Sequence, residues 1–382
     1  MKSVKVLSAP SYHPASRIGT VDMLRGFALG GIYLVNITQM NVPWGLSAGP
    51  LDNTLVFVFV GKFYSLFSFL FGYSITLQIR SANRAGVPAK WRIIRRCTTL
   101  ALIGIAHAVL LFTGDVLTVY GAAGVVLLLL SAMRARFVLT VAGLMYSVVI
   151  ALSTILAVLG VSADEGHRPK SEMIGIIRTG GLPLILARWQ EFTSHPFAHL
   201  QFALLVLPLF LVGLAAGKIR LLEDPVRYLP MLPRAQVIGL GLGAPLTLAA
   251  MLIHKPWVVA LFMVASPLLT MAYAATLLRL ARSRYALVTI FAPAGRVAAT
   301  NYIAQSLIGA ILFTGYGFAL AGRLPEVLLV GTAVVIYAIQ LGVSAWYVRR
   351  FQHGPIEWVL RLFTYGLAGA KGISVPTGTG PS

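Results

Sequence analysis

Charge is scarce in this sequence, and acidic charge most of all. Only 11% of the residues are charged, whereas a soluble domain carries about 25%. Aspartate and glutamate number 11 against 31 lysines and arginines, which gives a formal net charge of +20. In a soluble protein this balance would indicate nucleic-acid binding, but here the basic residues flank apolar segments, as membrane topology requires. We therefore expect membrane lipids as partners and no nucleic acid.

Cysteine is nearly absent and the histidines are scattered. The single cysteine, Cys97, excludes an internal disulfide bond and a cysteine metal cluster. His195 and His199 have the spacing of a metal-ligand pair, but Pro196 lies between them and places them at the start of an outer helix. The sequence therefore predicts no metal site.

Long apolar stretches make up most of the chain. A helix of about 18 or more apolar residues can cross a bilayer core of roughly 30 Å. We predict an all-α polytopic membrane protein with about ten transmembrane helices. The predicted spans are residues 21–40, 55–79, 93–113, 116–133, 137–160, 199–219, 235–254, 257–280, 299–320 and 326–348.

The basic residues fall mainly in alternate connections between these spans. If the N-terminus lies in the cytoplasm, most lysines and arginines fall in cytoplasmic segments, as the positive-inside rule requires. The outer connections then hold Arg168, Lys170, Arg178, Arg188, Lys255 and Arg323. We predict that both termini are cytoplasmic.

The segments outside the spans complete the predicted organisation. Residues 1–20 form a basic cytoplasmic tail, and residues 21–366 form a single transmembrane domain. Within that domain, residues 161–198 form a long outer connection with an amphipathic helix. Residues 354–366 are too short to cross and are expected to form an interfacial or re-entrant helix. Residues 367–382 are expected to be a flexible cytoplasmic tail.

A histidine and a carboxylate interrupt two consecutive apolar segments. His107 lies near the outer end of the third span and Asp115 at the start of the fourth, with only "FTG" (112–114) before the acid. This short connection predicts a tight hairpin in which Asp115 folds back toward His107. A carboxylate bonded to one ring nitrogen fixes the tautomer and makes the other nitrogen a better base. We predict that both residues are catalytic; the alternative is a tie between two helices.

Amide and hydroxyl side chains supply candidate substrate-binding groups. Three of them end the first span on the side of His107, and three lie on roughly one helical face within residues 299–306. Such amides could donate to a developing oxyanion. The candidates are Asn36, Gln39, Asn41, Asn301, Gln305 and Ser306.

A second polar layer, mainly cationic, is predicted on the cytoplasmic side. Guanidinium groups match the geometry of phosphates, so this layer suits an anionic cofactor or ligand. Glu357 and Arg361 have the i, i+4 spacing of an ion pair. The alternative is a positive-inside flank with paired helix ends. The candidate residues are Asp22, Arg25, Lys62, Arg296, Glu357 and Arg361.

Five segments together resemble the YeiB-like family of bacterial inner-membrane proteins. They are "RIGTVDMLRGFALGGIYLVNI" (17–37), "GKFYSLFSFLFGYSITLQ" (61–78), "GIAHAVLLFTGDVLTVYG" (104–121), "GRVAATNYIAQSLI" (295–308) and "HGPIEWVLRLFTYG" (353–366). The resemblance covers nearly the whole chain. It implies a multi-pass protein of the bacterial cytoplasmic (inner) membrane, and the C-terminal part of that family is a domain of unknown function.

The family is distantly similar to transmembrane acyltransferases such as heparan-alpha-glucosaminide N-acetyltransferase. This similarity implies an acyl-CoA co-substrate, above all acetyl-CoA, and a small-molecule, glycan or lipid acceptor. The opening Asp22, Arg25, Gly26 and Asn36 resembles the first span of those enzymes. Their working histidine follows shortly after the asparagine, whereas residues 37–53 contain none. His107 would then supply the base from another span.

Two rivals to the acyltransferase hypothesis remain open at this point. A transporter or exporter would use buried His, Asp and Glu as a proton or substrate relay. A membrane scaffold would tolerate alanine throughout both polar layers. Binding of coenzyme A would separate an enzyme from a transporter, and a homodimer is compatible with each hypothesis.

Overall fold

The computed structural model describes residues 15–43, 50–161, 168–224 and 229–370, and these contain helices and no β-strand. The all-α prediction is therefore confirmed over this part of the chain. Most of the predicted N-terminal tail and residues 371–382 lie outside the described residues. The helices are α1 (Ala15–Asn41), α2 (Pro50–Val58), α3 (Lys62–Arg84), α4 (Ala89–Leu110), α5 (Leu117–Leu130), α6 (Ala135–Val158), α7 (Lys170–Thr179), α8 (Gly181–Ser194), α9 (Pro196–Lys218), α10 (Leu232–Leu252), α11 (Val258–Ser283), α12 (Ala286–Arg296), α13 (Ala298–Phe313), α14 (Glu326–Arg350) and α15 (Pro355–Ala370).

Seven helical segments within the described residues are long and apolar enough to cross a membrane. Each coincides with one of the predicted spans. They are Leu51–Arg84, Ala89–Leu110, Ala135–Val158, Pro196–Lys218, Leu229–Leu252, Val258–Ser283 and Glu326–Arg350. The other three predicted spans correspond to α1, which carries Asp22 and Arg25, and to α5 and α13, which have only 14 and 16 residues.

The surface of these helices is apolar where it is exposed. Helix α6 exposes Leu144, Val148 and Ile155, and α14 exposes Val335 and Ile339. An apolar surface this extensive is not found on a soluble monomer but is the surface that lipid requires. The protein is therefore a polytopic helical membrane protein.

Helix α12 was not predicted from the sequence. Residues 286–296 form α12, and α13 follows after Val297, whose φ and ψ of −113° and 40° break the helical path. Helix α12 packs closely along α1 because a glycine on each helix removes the side chain at the crossing. A Cβ at Gly26 would collide with the Phe291 carbonyl, and one at Gly295 with the Asp22 carbonyl. This contact fixes the start of α13 against α1.

The helices that carry the predicted polar residues meet at two levels of the bundle. Helix α4 packs against α5, α8 and α15, and α13 packs against α1 and α15. The start of α4 lies at one end, called the basic end below because Arg92 and Arg96 lie there with the arginines of α1, α12 and α15. The end of α4 lies at the opposite end, called the far end, where α7 and α8 cover a second apolar core that includes Met173 and Leu184.

The contact between α3 and α9 offers a test of the packing. A Cβ at Gly213 would collide with the Phe69 carbonyl, and one at Gly72 with the Phe210 carbonyl. Gly213→Val is expected to lower the free energy of unfolding by about 1–3 kcal/mol, because the two backbones must separate. A lowered melting temperature in detergent would be the readout. Gly331→Val is the control, since nothing lies within 4 Å of the Cβ position there; equal melting temperatures for the two variants would contradict the packing.

Candidate functional site

His107 and Asp115 meet across the turn between α4 and α5, as the hairpin predicts. The Nδ1 atom of His107 lies 2.9 Å from Oδ1 of Asp115, and the two side chains are 1% and 2% exposed. The carboxylate also accepts the backbone N–H groups of Leu117 at 3.2 Å and Thr118 at 2.7 Å. Asp115 therefore caps the start of α5 and holds the imidazole with the same group.

The second ring nitrogen of His107 faces a serine from a distant part of the sequence. Nε2 lies 2.8 Å from the Oγ atom of Ser306 on α13, a side chain that is also buried. A carboxylate oxygen accepts hydrogen bonds, so the tautomer that fits this contact carries its proton on Nδ1 and donates it to Asp115. Nε2 then accepts the hydrogen bond from the Ser306 hydroxyl. Asp115, His107 and Ser306 thus form one continuous hydrogen-bonded chain, called the triad below.

Aromatic rings enclose the imidazole. The Tyr302 ring centre lies 5.0 Å from that of His107, and Phe112 meets the imidazole edge-on at 6.4 Å. The Tyr302 hydroxyl donates to the Gly114 carbonyl at 3.4 Å, across the same turn that carries Asp115. These contacts fix the plane of the imidazole and keep water from the triad. Tyr302 is a member of the site that the sequence did not single out.

A small pocket lies one helical turn beyond the triad toward the far end. Gly309 of α13 and Phe112 line it, together with Gln39, one of the predicted substrate-binding residues. Arg188 of α8 also lines the pocket, and this residue is 5% exposed. Burial lowers the pKa of Arg188 to about 10, so its guanidinium stays charged at neutral pH. The pocket is therefore a small recess of mixed polarity with one cation at its edge.

Arg188 also connects this pocket to the triad. Its Nη1 atom donates to the Leu110 carbonyl at 2.8 Å, at the last residue of α4. Carbonyls at a helix end have no partner within the helix, and a cation satisfies them well. The sequence places Arg188 in the outer connection, but its role was missed because its partner lies 78 positions away.

The remaining predicted substrate-binding amides lie apart from the triad. Asn41 binds the backbone at Gly322, 2.9 Å away, and Asn36 is half-buried one turn earlier on α1. Asn301 donates to the Ala294 carbonyl at 3.1 Å and the Ser344 hydroxyl at 2.9 Å. Asn41 and Asn301 thus tie helices and loops together.

The three candidates on α13 face two different helices. Gln305 donates to the Gln340 side chain at 2.8 Å, so it faces α14 with Asn301. Ser306 faces α4 instead, because consecutive helical residues point about 100° apart. Only Ser306 therefore contacts the imidazole.

The predicted cationic layer assembles at the basic end. Electrostatic interactions couple Arg96 to Arg25, Arg25 and Arg296 to Asp22, and both Arg296 and Arg361 to His353. Arg92 and Arg361 each stack on the Tyr365 ring, at 4.9 and 5.1 Å from its centre. Burial, Arg361 and Arg296 all lower the pKa of His353, as expected in a positive potential. The arginine cluster is Arg25, Arg92, Arg96, Arg296 and Arg361.

The two predicted acidic residues of this layer, Asp22 and Glu357, accept hydrogen bonds from neighbouring protein groups. Asp22 accepts from Arg25 at 2.6 Å. Glu357 of α15 accepts the N–H groups of Ala299 at 2.8 Å and Thr300 at 3.2 Å, so its carboxylate caps the start of α13. With two carboxylates against five guanidinium groups, the cluster keeps an excess of positive charge.

Lys62 does not join the arginine cluster. It begins α3, whose other end lies at the basic end, and α3 spans about 34 Å over its 23 residues. Its ammonium donates to the Val56 carbonyl at 2.9 Å and lies 4.5 Å from the centre of the Phe262 ring. The buried cation thus satisfies the end of α2, as a lysine at a helix C-terminus does.

Within the described residues, no group of three or more His, Cys, Asp or Glu side chains is placed to hold a metal ion. His195 and His199, the pair with ligand spacing, instead bond to the carbonyls of Glu191 and Phe192, each at 3.0 Å.

Removing the Asp115 carboxylate tests its structural role. Asp115→Ala leaves the donors of His107, Leu117 and Thr118 without their partner, and we expect a loss of about 2–4 kcal/mol in unfolding free energy. Asp115→Asn should retain most of the stability, since asparagine caps helices as well as aspartate. The measurement is the thermal midpoint in detergent, with amide exchange at Leu117 and Thr118. A midpoint unchanged by alanine would disprove the capping role.

Sequence comparison places the chain among known proteins. A family model described as "Protein of unknown function (DUF418)" matches residues 216–367. "Uncharacterized protein YxaH" of Bacillus subtilis (strain 168) is 28% identical over 388 residues, covering 91% of this chain and 94% of the relative. The "Uncharacterized 39.9 kDa protein in amylase 3'region" of Bacillus acidopullulyticus is 30% identical over 375 residues, with 91% and 94% covered. "Uncharacterized protein YeiB" of Escherichia coli (strain K12) is 26% identical over 382 residues, with 92% and 97% covered.

The chain belongs to the YeiB-like family. The family model spans α13, α14 and most of α15, and therefore includes Ser306 and Arg361. His107 and Asp115 precede the matched segment. This YeiB-like protein thus completes its triad by joining the matched segment to an earlier hairpin of the chain.

Proposed function

We propose that this protein is a membrane-embedded acyltransferase that moves an acyl group from acyl-CoA to a hydroxyl or amine acceptor. The observation that carries the proposal is the triad, in which a carboxylate orients a buried imidazole and the imidazole faces a hydroxyl oxygen at 2.8 Å. This geometry suits removal of a proton from an O–H or N–H nucleophile. His107 is the proposed base and Asp115 its positioning residue.

The arginine cluster supports a donor site at the basic end. Coenzyme A carries phosphates, and guanidinium groups bind phosphate through paired, charge-assisted hydrogen bonds. On α4 the axial distance from Arg96 to His107 is about 16 Å, at about 1.5 Å per residue. The extended pantetheine arm of acetyl-CoA has the length to bridge this distance between the two levels.

The proposal includes a direction across the membrane. We place the basic end in the cytoplasm of a bacterium, with ten membrane crossings in the inner membrane and the described C-terminal helix α15 on the cytoplasmic side. The concentration of lysine and arginine at the connections on that side supports this orientation. Donor phosphates would then bind from the cytoplasm, and the acceptor would reach the triad through the far-end pocket.

Access to the triad requires motion in this proposal. His107 and Ser306 are 2% and 1% exposed, and α7 and α8 cover the adjacent pocket with Met173, Ile177 and Arg188. Displacement of these two helices would open a path from the far end. A closed resting state suits a site that must exclude water, because hydrolysis of the thioester would waste the acyl group.

Transport is the second candidate function. The break between α12 and α13 is the observation that favours it, since transporters use discontinuous helices near their binding sites. In that case His107 and Asp115 would relay protons and would transfer no acyl group.

The deciding experiment uses the purified full-length protein in nanodiscs. An acyltransferase should bind acetyl-CoA in equilibrium dialysis and release free thiol in the presence of amine and hydroxyl acceptors. A transporter should bind no acyl-CoA and should support flux in proteoliposomes. Absence of acyl-CoA binding and of thiol release, with the protein folded, would refute the acyltransferase.

A further inference from the structure

The orientation of Ser306 sets it apart from most hydroxyl residues in the described helices. A serine or threonine within a helix commonly donates back to a carbonyl three or four residues earlier. This pattern is found at Ser65, Thr99, Ser266 and Thr314, whose hydroxyls donate to the carbonyl four residues earlier at 2.6, 2.8, 2.9 and 2.7 Å. Ser306 instead directs its oxygen at the His107 imidazole, 199 positions away.

We infer that Ser306 is the nucleophile of the reaction and carries the acyl group as an ester between donor and acceptor. The inference rests on the proposed acyltransferase function and adds a covalent intermediate to it. Its basis is the order of groups in the triad: an acceptor-only carboxylate, an imidazole held by it, and a hydroxyl on the free ring nitrogen. The same order of groups activates the serine nucleophile of hydrolases on several unrelated folds.

The first half-reaction acylates the serine. Oγ of Ser306 attacks the thioester carbonyl while Nε2 of His107 takes the hydroxyl proton. The C–S bond breaks, the thiolate of coenzyme A receives that proton from the imidazolium, and free coenzyme A leaves. The products are the Ser306 ester and neutral His107.

The second half-reaction transfers the acyl group to the acceptor. Nε2 takes a proton from the acceptor hydroxyl or amine as that group attacks the ester carbonyl. The ester C–O bond breaks and His107 returns the proton to Oγ of Ser306. No oxidant, reductant or further reactant is required. Donor and acceptor need not occupy the site together, so each can approach from its own end of the bundle.

The space beside Ser306 supports an acyl group at this position. Gly309 and Ala310, on the next helical turn, line the far-end pocket. A Cβ at Gly309 would collide with the Met40 sulfur, so the absence of a side chain there keeps Met40 in place along the pocket wall. The recess is small in this closed arrangement, so an acyl group on Ser306 would enter it as α7 and α8 move away.

The test is trapping of the intermediate on the full-length protein in nanodiscs. Wild-type protein receives acetyl-CoA labelled in the acyl group, without acceptor, and is quenched in acid. Mass spectrometry of proteolytic fragments should place the label on Ser306, and coenzyme A should appear in a burst no larger than one equivalent per chain. Ser306→Ala should show no label and a loss of transfer of about 10³-fold or more.

Two further variants make the test specific. Ser68→Ala is the control, because Ser68 is equally buried and bonds to the Tyr120 hydroxyl at 2.6 Å; it should label as wild type. Ser306→Cys should trap the acyl group as a thioester that hydroxylamine removes. Transfer at the wild-type rate by folded Ser306→Ala would overturn the inference while leaving the acyltransferase intact. Absence of any transfer by wild type would instead refute the proposed function.

Discussion

His107→Ala is expected to lower kcat for acyl transfer by about 10²–10⁴-fold, the contribution that a positioned general base makes. Binding of acyl-CoA should change little, because the arginine cluster lies about 16 Å away along α4. The readout is release of free thiol at saturating acyl-CoA, with the dissociation constant measured separately. A loss confined to kcat would show that the imidazole acts in the chemical step.

Stability must be separated from chemistry in this experiment. Alanine at position 107 leaves the Asp115 carboxylate and the Ser306 hydroxyl without their shared partner, at a cost of about 1–3 kcal/mol. His107→Gln can restore hydrogen bonds but cannot act as a base, so it should be folded and equally inactive. His199→Ala, which loses a bond to the Phe192 carbonyl and a contact with the Phe192 ring, is the matched control and should keep full activity. An active, folded His107→Gln would eliminate the histidine from catalysis.

Removing two guanidinium groups from the arginine cluster is expected to weaken binding of acyl-CoA and to leave kcat nearly unchanged, the reverse of the effect of His107→Ala. The double variant Arg296→Gln, Arg361→Gln should weaken binding of acyl-CoA by about 100-fold, since a charge-assisted hydrogen bond contributes about 1.5–3 kcal/mol. The maximal rate at saturating donor should stay near the wild-type value. Wild-type affinity should also fall as salt rises, and the double variant should show a shallower dependence.

A matched variant guards against a general charge effect. Arg279 is exposed on α11 and bonds to the Gln236 side chain, so Arg279→Gln removes a cation outside the arginine cluster. Its affinity for acyl-CoA should equal that of the wild type. If the double variant binds acyl-CoA as tightly as Arg279→Gln does, the donor does not lie at the arginine cluster.

Local patterns made much of the fold predictable. A long apolar run predicts a helix from local sequence alone, and the seven segments long and apolar enough to cross a membrane coincide with predicted spans. The contact between His107 and Asp115 could also be predicted, because only eight positions separate them and a short turn allows few arrangements of the two helices. Helix α12 was missed because it has 11 residues and contains Pro293, features that read as a connection between spans.

Tertiary contacts account for what the sequence did not reveal. Nothing near Ser306 in the chain indicates that it faces His107, since the pairing depends on how α13 packs against α4. The sequence analysis placed Ser306 and Gln305 on one helical face. Adjacent helical residues point about 100° apart, and the two side chains contact different helices, α4 and α14. The sequence analysis grouped Lys62 with the cytoplasmic cations, because a residue's type does not indicate its depth in the membrane.

Within about one turn, helix α15 carries a residue of the arginine cluster and the carboxylate that caps α13. Arg361 belongs to the arginine cluster, and Glu357 holds the first N–H groups of α13, the helix that presents Ser306. One short helix thus contributes both to the arginine cluster and to the start of α13. The proposed binding site for the donor and the anchor of the serine-bearing helix are therefore built from side chains one helical turn apart on α15.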